Sequence, residues 1–278
     1  MDHRTAYKKK ETLIQRLTAL DNLLIAFSGG VDSTFLLAVA HQCLGDRVLA
    51  VTARSIIQPA RETNAAERIA ARAGIPHRII HSEEMSLPEF VANTGDRCYH
   101  CKRHILESLW HVAREEGFSH VAHGANRDDL GDYRPGFRAA REMGVLAPLM
   151  EAELEKAEIR FLSKEMDLPT WDKPPVPCLA SRIPYGSPVT EEKLRAIDRA
   201  EAFLLGQGFQ SVRVRHHGPV ARIEVERHGL EKFADQTLRK GIVREFRKLG
   251  FLHVALDLEG FVSGSMNRAL RQEPGRED

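Results

Sequence analysis

The sequence lacks an excess of charge of either sign, because 40 basic residues (Lys and Arg) stand against 39 acidic ones among 278. Nonspecific binding to DNA or RNA depends on neutralising several phosphates, and it therefore needs a surplus of basic residues. The near-neutral balance argues against nucleic acid as a partner, although a local basic patch remains compatible with it.

Long apolar runs are missing as well. The longest ones, such as 23–27 and 48–51, are far shorter than the ~20 residues that a membrane helix requires. The residues from Met1 to Arg4 do not begin the apolar core of a secretory signal. We therefore predict a cytoplasmic protein with no membrane partner.

Cysteine is also scarce, and 4 residues in a chain of this length cannot form a disulfide scaffold. Such thiols are typical of buried, metal-binding or catalytic positions. Cys98 and Cys101 lie one turn apart at the start of a predicted helix, whose positive end favours the thiolate. Cys178 lies in a proline-rich stretch, and Cys43 has the sequence context of a small buried hydrophobe.

The Cys-x-x-Cys pair has three interpretations: a redox disulfide, half of a zinc site, or part of an iron–sulfur cluster. A second such pair is absent, which argues against a closed four-thiolate zinc site. Three thiolates would leave one iron of a cluster without a protein ligand. Such an open position is useful where something must bind, for example a sulfide to be donated.

Residues 1 to about 150 alternate between strand and helix patterns, which is typical of a parallel sheet covered on both faces. The predicted strands are 23–27, 48–52, 77–80 and 120–123, and the predicted helices are 32–44, 61–73 and 101–116. We therefore predict an α/β, Rossmann-like domain with its site at the carboxyl ends of the strands.

The pattern changes after Met150. A charged amphipathic helix is predicted for 151–166, and the prolines between 168 and 188 predict an ordered loop. Further along, strands at 211–215, 221–226 and 253–258 and helices at 190–205 and 238–248 predict a smaller α+β domain. The predicted boundaries are 1–166 for the first domain, 167–189 for the loop and 190–278 for the second.

Between the first strand and the first helix runs Ser28-Gly29-Gly30-Val31-Asp32-Ser33. The glycines allow a sharp turn and a close approach to a ligand, and N–H groups at the helix start attract an anion. Ser28 and Ser33 add hydroxyl donors, and Asp32 could orient the loop or help to hold Mg²⁺. A simple turn with a helix cap is the alternative. The segment is neither a Walker A loop nor a dinucleotide fingerprint, and it resembles the Ser-Gly-Gly-x-Asp-Ser signature of the PP-loop superfamily.

A second polar segment follows the fourth strand. Gly124 and Asn126 are predicted to contribute to the nucleotide site there. Asp128, Asp129 and Asp132 are candidates, as a group, for Mg²⁺, which prefers oxygen ligands. A solvated loop with helix caps would have the same composition.

Arg182, Arg213 and Arg215 form a basic set. Arg213 and Arg215 alternate on one predicted strand, so both side chains are expected on one face. Two guanidinium groups there could bind phosphate or carboxylate in bidentate fashion. Alternation on a half-exposed strand produces the same pattern without a ligand.

Three segments together, 28–33, 126–136 and 171–186, resemble the LarE family of ATP-dependent sulfur transferases, which help to build the nickel-pincer cofactor of lactate racemase. The resemblance implies the PP-loop (adenine nucleotide alpha hydrolase-like) fold and cleavage of ATP between its α and β phosphates. A carboxylate of a pyridinium-3,5-biscarboxylic acid mononucleotide would be adenylated, and sulfur would then displace AMP.

The resemblance also implies roles for individual residues. In single-cysteine members the residue that matches Cys178 is sacrificed to dehydroalanine. Members with three cysteines are thought to hold a [4Fe–4S] cluster, and this chain fits them through Cys98, Cys101 and Cys178. The resemblance implies a homo-oligomer. It also implies that the substrate is bound by Ser181, Arg182, Glu201, Arg213 and Arg215.

Three other functions compete with this one. A PP-loop tRNA thiolase would also use an open cluster, but it needs a basic surface. An amide-forming PP-loop synthetase needs a source of ammonia, and no glutaminase-like domain is recognisable. A nucleotide-binding regulator without turnover would need only the phosphate loop.

Overall fold

A computed structural model describes residues 2–131 and 135–262. The chain divides into two compact units, each built from two stretches of sequence. The first unit comprises Met1–Glu84 and Cys98–Val176, and the second comprises Met85–Arg97 and Pro177–Asp278.

The first unit contains a four-stranded parallel sheet with the strand order β3-β2-β1-β4. The strands are β1 (Leu23–Ala26), β2 (Val48–Arg54), β3 (His77–His81) and β4 (Val121–His123). Leu23, Leu24 and Ile25 are all fully buried, as expected for a strand covered on both faces. The predicted α/β class and its four strands are confirmed. Because β2 and β4 flank β1 on opposite sides, the strand order reverses at β1, and in such sheets ligands bind at the carboxyl ends of the strands on either side of that point.

Helices cover this sheet. Those of the first unit are α1 (His3–Thr18), α2 (Val31–Leu44), α3 (Ala60–Arg72), α5 (Arg97–Glu115), α6 (Pro135–Glu142), α7 (Pro148–Glu151) and α8 (Lys156–Glu165), where α5 begins with the last residue of the second unit. α1 was not predicted, because its charged residues outnumber its apolar ones and only Ala6, Leu13 and Leu17 are buried. Among the described residues, no helix is long and apolar enough to cross a membrane.

The helix predicted for 151–166 is two helices. α7 ends at Glu151, and Glu153 then adopts a left-handed conformation with φ of 56°. α8 restarts at Lys156 behind a capping box, in which Glu155 and Glu158 each bind the backbone of the other. This reciprocal cap satisfies N–H groups that a new helix leaves without partners, so it favours a fresh start over one continuous helix.

The second unit has a three-stranded sheet, as the predicted α+β module requires. Strand β6 lies in the middle, antiparallel to β5 and parallel to β7. Its elements are α4 (Pro88–Val91), α9 (Glu191–Gly206), β5 (Val212–His217), β6 (Val220–Val225), α10 (Gln236–Lys248) and β7 (His253–Leu256). Val214, Ile223 and Phe246 are fully or almost fully buried in its own apolar core.

Residues 85–97 belong to the second unit, which the sequence did not suggest. Buried Asn93 donates from Nδ2 to the carbonyls of Pro184 (2.8 Å) and Ser187 (2.7 Å). The backbone N–H of Val189 donates to the carbonyl of Val91 at 2.9 Å. These bonds tie the end of the proline-rich stretch to 85–97, so that stretch divides between the units at 176/177.

We expect Leu13→Ala to lower the free energy of unfolding by about 2–5 kcal/mol, because it leaves a cavity where α1 packs on the core. Lys8→Ala on the exposed side of α1 is the control, and its effect should stay within about 0.5 kcal/mol. Chemical denaturation measures both, and equal effects would show that α1 is not part of the core.

Candidate functional site

The turn after β1 is shaped by a glycine that no other residue could replace without strain. Gly29 has φ of +67°, and a Cβ on it would lie 2.9 Å from the Cα of Ala66 in α3. Both the left-handed conformation and the lack of space exclude a side chain. The predicted sharp turn is confirmed, and its backbone lies directly against a neighbouring helix.

The hydroxyls of the loop lie together beside the start of α2. Ser28 Oγ lies 3.0 Å from Ser33 Oγ, and Ser33 Oγ donates to the carbonyl of Gly30 at 3.3 Å. Gly30 occupies the N-cap position, so α2 has no side-chain cap. Backbone N–H groups at the first turn of a helix attract anions. Because α2 has no side-chain cap, no capping oxygen competes with an anion for these N–H groups. The loop is thus suited to phosphate.

Gly124 follows β4 and lies against the same helix start. A Cβ there would be 2.9 Å from the backbone nitrogen of Ser33. Gly124 therefore allows β4 and α2 to approach each other closely. The contribution of Gly124 that the structure shows is the absence of a side chain, which would otherwise collide with the loop backbone at Ser33.

Asp32 is the centre of a polar network. Its Oδ1 accepts from Asn126 Nδ2 at 3.2 Å, and its Oδ2 is ion-paired with Lys156 Nζ. Asn126 Oδ1 in turn accepts from the backbone N–H of Asp128 at 2.9 Å. Asn126 and Asp32, both assigned to the nucleotide site from the sequence, are thus in contact, whereas Lys156 was not singled out by its sequence context.

The predicted magnesium ligands have other contacts. Asp128 Oδ2 accepts from the backbone N–H of Lys156 (3.0 Å), at the start of α8, and Asp129 Oδ2 accepts from that of Asn126 (2.9 Å). Asp132 lies outside the described residues. Within residues 2–131 and 135–262, no group of three or more His, Cys, Asp or Glu side chains could hold a metal ion.

Lys173 is a second cation at the loop that the sequence did not reveal. Its ammonium donates to the carbonyl of Gly29 at 2.8 Å and lies 2.8 Å from Glu62 Oε2. Arg160 in α8 holds the backbone of this stretch through the carbonyls of Trp171 (2.7 Å) and Lys173 (2.8 Å). An ammonium group is therefore held against the phosphate loop.

His123 ends β4 and is kept neutral. Burial lowers the pKa of its imidazole to about 3, and the positive charge of Lys102 contributes further. Its ring lies 5.9 Å from that of Phe137. At neutral pH, His123 is therefore an uncharged packing residue beside the loop.

The four cysteines lie in two helices and at the start of a proline-flanked turn, and no three of them form a metal-binding group among the described residues. Cys98 and Cys101 lie one turn apart at the start of α5, the former exposed and the latter half-buried. Cys178 is half-buried and is the N-cap residue of a 3-10 helix, Leu179–Arg182. Cys43 is partly buried against the core of the first unit. None of the four is in a disulfide.

The second unit contains a fully buried ion pair close to Cys178 in sequence. Arg182 Nε and Nη2 donate to Glu201 Oε1 (2.8 Å) and Oε2 (3.0 Å), and both side chains are 0% exposed. Arg182 Nη1 also donates to the carbonyls of Pro177 and Cys178, at 2.6 and 3.0 Å. The sequence predicted both residues for the site but not their pairing.

Arg213 and Arg215 lie two residues apart on β5, and both are buried. Arg215 binds Glu224 through two parallel contacts of 2.9 and 2.7 Å, and its Nη1 donates to the carbonyl of Ser181 at 2.9 Å. Arg213 lies over the ring of Phe261, 4.9 Å from its centroid. Ser181 Oγ donates to the carbonyl of Cys178 at 2.7 Å.

Comparison with known proteins identifies the family of the chain. The asparagine synthase family model matches residues 10–102, which include the loop and the Cys-x-x-Cys pair. Pyridinium-3,5-bisthiocarboxylic acid mononucleotide synthase of Lactiplantibacillus plantarum is 36% identical, with 96% of both chains covered. The chain belongs to the LarE family.

Two further relatives have no assigned activity. An uncharacterized protein of Synechocystis is 43% identical over 94% of this chain and 98% of its own. Another, from Methanocaldococcus jannaschii, is 27% identical over 85% and 89%. The LarE likeness thus extends over both units, and it confirms the ATP-using PP-loop class predicted from the loop.

We expect Gly29→Ala to weaken ATP binding by about tenfold or more, since the added methyl both strains the turn and meets Ala66. Gly74→Ala is the matched control, because its φ of +66° is nearly the same but a Cβ would meet nothing within 4 Å. In both variants the alanine must adopt a left-handed backbone conformation, which should lower the free energy of unfolding by about 1–2 kcal/mol. Calorimetric titration should show a weaker affinity for ATP in Gly29→Ala and an unchanged affinity in Gly74→Ala. Equal affinities in the two variants would contradict the close-approach argument.

A second prediction concerns acid. Since the pKa of His123 is lower in the folded state, the unfolded state binds the extra proton, and stability is lost as pH falls from about 6.5 towards 3. His123→Leu should remove about 1.4 kcal/mol per pH unit of that slope. Urea unfolding at a series of pH values measures it. His111→Leu, at a side chain 67% exposed, is the control, and the same slope in both variants would contradict the assignment.

Proposed function

We propose that this protein adenylates a carboxylate of pyridinium-3,5-biscarboxylic acid mononucleotide and replaces AMP with sulfur, giving a thiocarboxylate. The observation that carries the proposal is the turn at Gly29, where an uncapped helix start and the ammonium of Lys173 meet at one strand end. Its support in sequence is the near full-length likeness to the synthase of Lactiplantibacillus plantarum.

In the first step a carboxylate oxygen of the substrate attacks the α-phosphorus of ATP. The bond from that phosphorus to the bridging oxygen breaks, and pyrophosphate leaves with the electron pair. The N–H groups of the loop and the hydroxyls of Ser28 and Ser33 bind the departing phosphates. Lys173 and Lys156 add positive charge where negative charge develops, and Asp32 orients Lys156.

In the second step a sulfur nucleophile attacks the acyl carbon. A carbon–sulfur bond forms, the bond to the oxygen of AMP breaks, and sulfur loses its proton, with no net oxidation or reduction. AMP is a better leaving group than the oxygen of a carboxylate, which explains why ATP is used. The substrate contacts that we propose come from Ser181, Arg213 and Arg215.

The donor set for an iron–sulfur cluster consists of three thiols outside disulfides, Cys98, Cys101 and Cys178. Cys98 and Cys101 share one helical turn of the first unit, and Cys178 belongs to the second unit. The three thiols do not form a group that could hold a metal ion among the described residues, so the cluster rests on the family resemblance alone. We propose these three as ligands of a [4Fe–4S] cluster, which would supply a bound sulfide derived from inorganic sulfide. If Cys178 is sacrificed instead, it forms a thioester and then loses its sulfur by β-elimination to leave dehydroalanine.

Two further assignments are predictions from the sequence: Mg²⁺ as the partner of ATP, with Asp128, Asp129 and Asp132 as candidate ligands, and a homo-oligomer acting in the cytoplasm. Loss of turnover with a metal chelator would support the first. Light scattering measures the second.

The experiment that tests the function is pyrophosphate release from ATP with the anaerobically reconstituted protein. Release should depend on the pyridinium biscarboxylate nucleotide, and sulfur should be recovered in its product. Lys173→Met should raise the KM for ATP by about tenfold, the effect of losing one charge-assisted hydrogen bond. Lys164→Met is the control, because Lys164 lies over the ring of Trp171 instead of at the loop.

The outcome also separates the alternatives. Release that needs tRNA would favour a thiolase, and no release with any carboxylated nucleotide would favour a regulator. Intact mass after turnover distinguishes the sulfur sources, since a sacrificed Cys178 loses the elements of H₂S whereas a cluster leaves it unchanged.

A further inference from the structure

The turn that carries Cys178 has few backbone N–H groups with which to hold itself in place. Pro174, Pro175 and Pro177 precede Cys178 and have no N–H to donate. The carbonyl of Cys178 nevertheless accepts from the N–H of Ser181 (3.0 Å), from Ser181 Oγ (2.7 Å) and from Arg182 Nη1 (3.0 Å). The position of this thiol therefore depends on side chains.

Arg182 makes the largest contribution. One terminal nitrogen, Nη1, donates to the carbonyls of Pro177 and Cys178 and to Ser181 Oγ. The other two nitrogens are taken by Glu201. The side chain of Arg182 is 0% exposed and all three of its nitrogens donate inside the protein, so burial and not substrate contact describes its place in this structure.

Glu201 connects this contact to regular structure. It is fully buried in α9, and its Oε1 accepts from Arg182 Nε and also from the backbone N–H of Val214 in β5, at 3.1 Å. Arg182 is thus held by a helix and a strand at once. Since both elements belong to the apolar core of the second unit, the carbonyl of Cys178 is tied to the rigid part of that unit.

A buried ion pair is rarely favoured for stability alone, because the cost of removing two charges from water offsets their attraction. An apolar pair of similar volume would hold the fold as well, but it could not bind two carbonyls. We propose that Arg182 and Glu201 are positioning residues that fix the turn of Cys178 for sulfur delivery. The role of Cys178 in sulfur delivery rests on the proposed function. The contacts that fix its turn do not depend on that function.

The test is labelling of Cys178 with iodoacetamide in the full chain, followed by mass spectrometry. The double variant Arg182→Met with Glu201→Leu removes both charges together, so that neither charge is left buried without its partner, and it is expected to fold. Its Cys178 should be labelled about 25-fold faster, since each of the two lost hydrogen bonds to the carbonyls of Pro177 and Cys178 shifts an equilibrium by roughly fivefold. Cys43, in the core of the first unit, is the internal reference and should react at its wild-type rate.

The matched control removes an exposed ion pair from the same helix. Arg195→Gln with Glu191→Gln breaks a contact of 2.9 Å between side chains that are 63% and 56% exposed. It should leave labelling of both cysteines unchanged. Arg182→Lys keeps the charge but lacks the planar fork, so it should not restore slow labelling of Cys178. Wild-type labelling in Arg182→Lys or in the double variant would overturn the proposal, as would equal acceleration at Cys43.

A measurement on the wild type covers the case in which the double variant does not fold. The amides of Ser181 and Ile183, which donate to Cys178 and Ala180 at 3.0 and 3.1 Å, should exchange with solvent as slowly as those of α9. Exchange at the rate of an unstructured peptide would overturn the proposal.

Neither readout uses ATP or substrate, so the two proposals fail separately. If no pyrophosphate were released, the proposed function would be wrong, but the positioning role of Arg182 and Glu201 would be unaffected. If the function holds, the double variant should lower kcat for sulfur transfer by about 25-fold, from the same two lost hydrogen bonds, with the KM for ATP unchanged.

Discussion

Close approach of backbone to backbone at the carboxyl ends of β1 and β4 is the constraint on which the nucleotide site depends. Gly29 lies against Ala66, and Gly124 lies against Ser33, with room for a hydrogen but not for a methyl group at either position. These two contacts set the direction in which the loop turns and in which α2 begins. The helix start can bind an anion because glycine, and not a capping side chain, precedes it.

Charged side chains are used in two different ways in the two units. The lysine pairs of the first unit, Lys156 with Asp32 and Lys173 with Glu62, remain partly exposed. A compact ammonium group on a flexible stem can exchange a carboxylate for a phosphate. The arginine pairs of the second unit, Arg182 with Glu201 and Arg215 with Glu224, are almost fully buried. Their planar forks bind two oxygens at fixed angles, so they hold backbone in place.

Membership of the LarE family gives these differences a meaning. An enzyme that first adenylates and then transfers sulfur must bind a nucleotide reversibly, and it must also present sulfur at a defined position. The partly exposed lysine pairs suit the first requirement, and the buried arginine pairs suit the second. The near-neutral total charge agrees with a small-molecule substrate.

The sequence by itself determined the fold class, the phosphate loop and the cysteine positions. All three depend on local patterns: short strands of three to seven residues, a hexapeptide with two glycines, and two thiols three residues apart. It did not predict α1, whose apolar positions are too few, or the transfer of 85–97 to the second unit through Asn93. Only the tertiary structure decided the partners of the charged residues. Lys156 and Asp32 are separated by 124 positions, Lys173 and Gly29 by 144, and Arg182 and Glu201 by 19. No periodicity connects such residues, because their meeting is a consequence of how helices and strands pack.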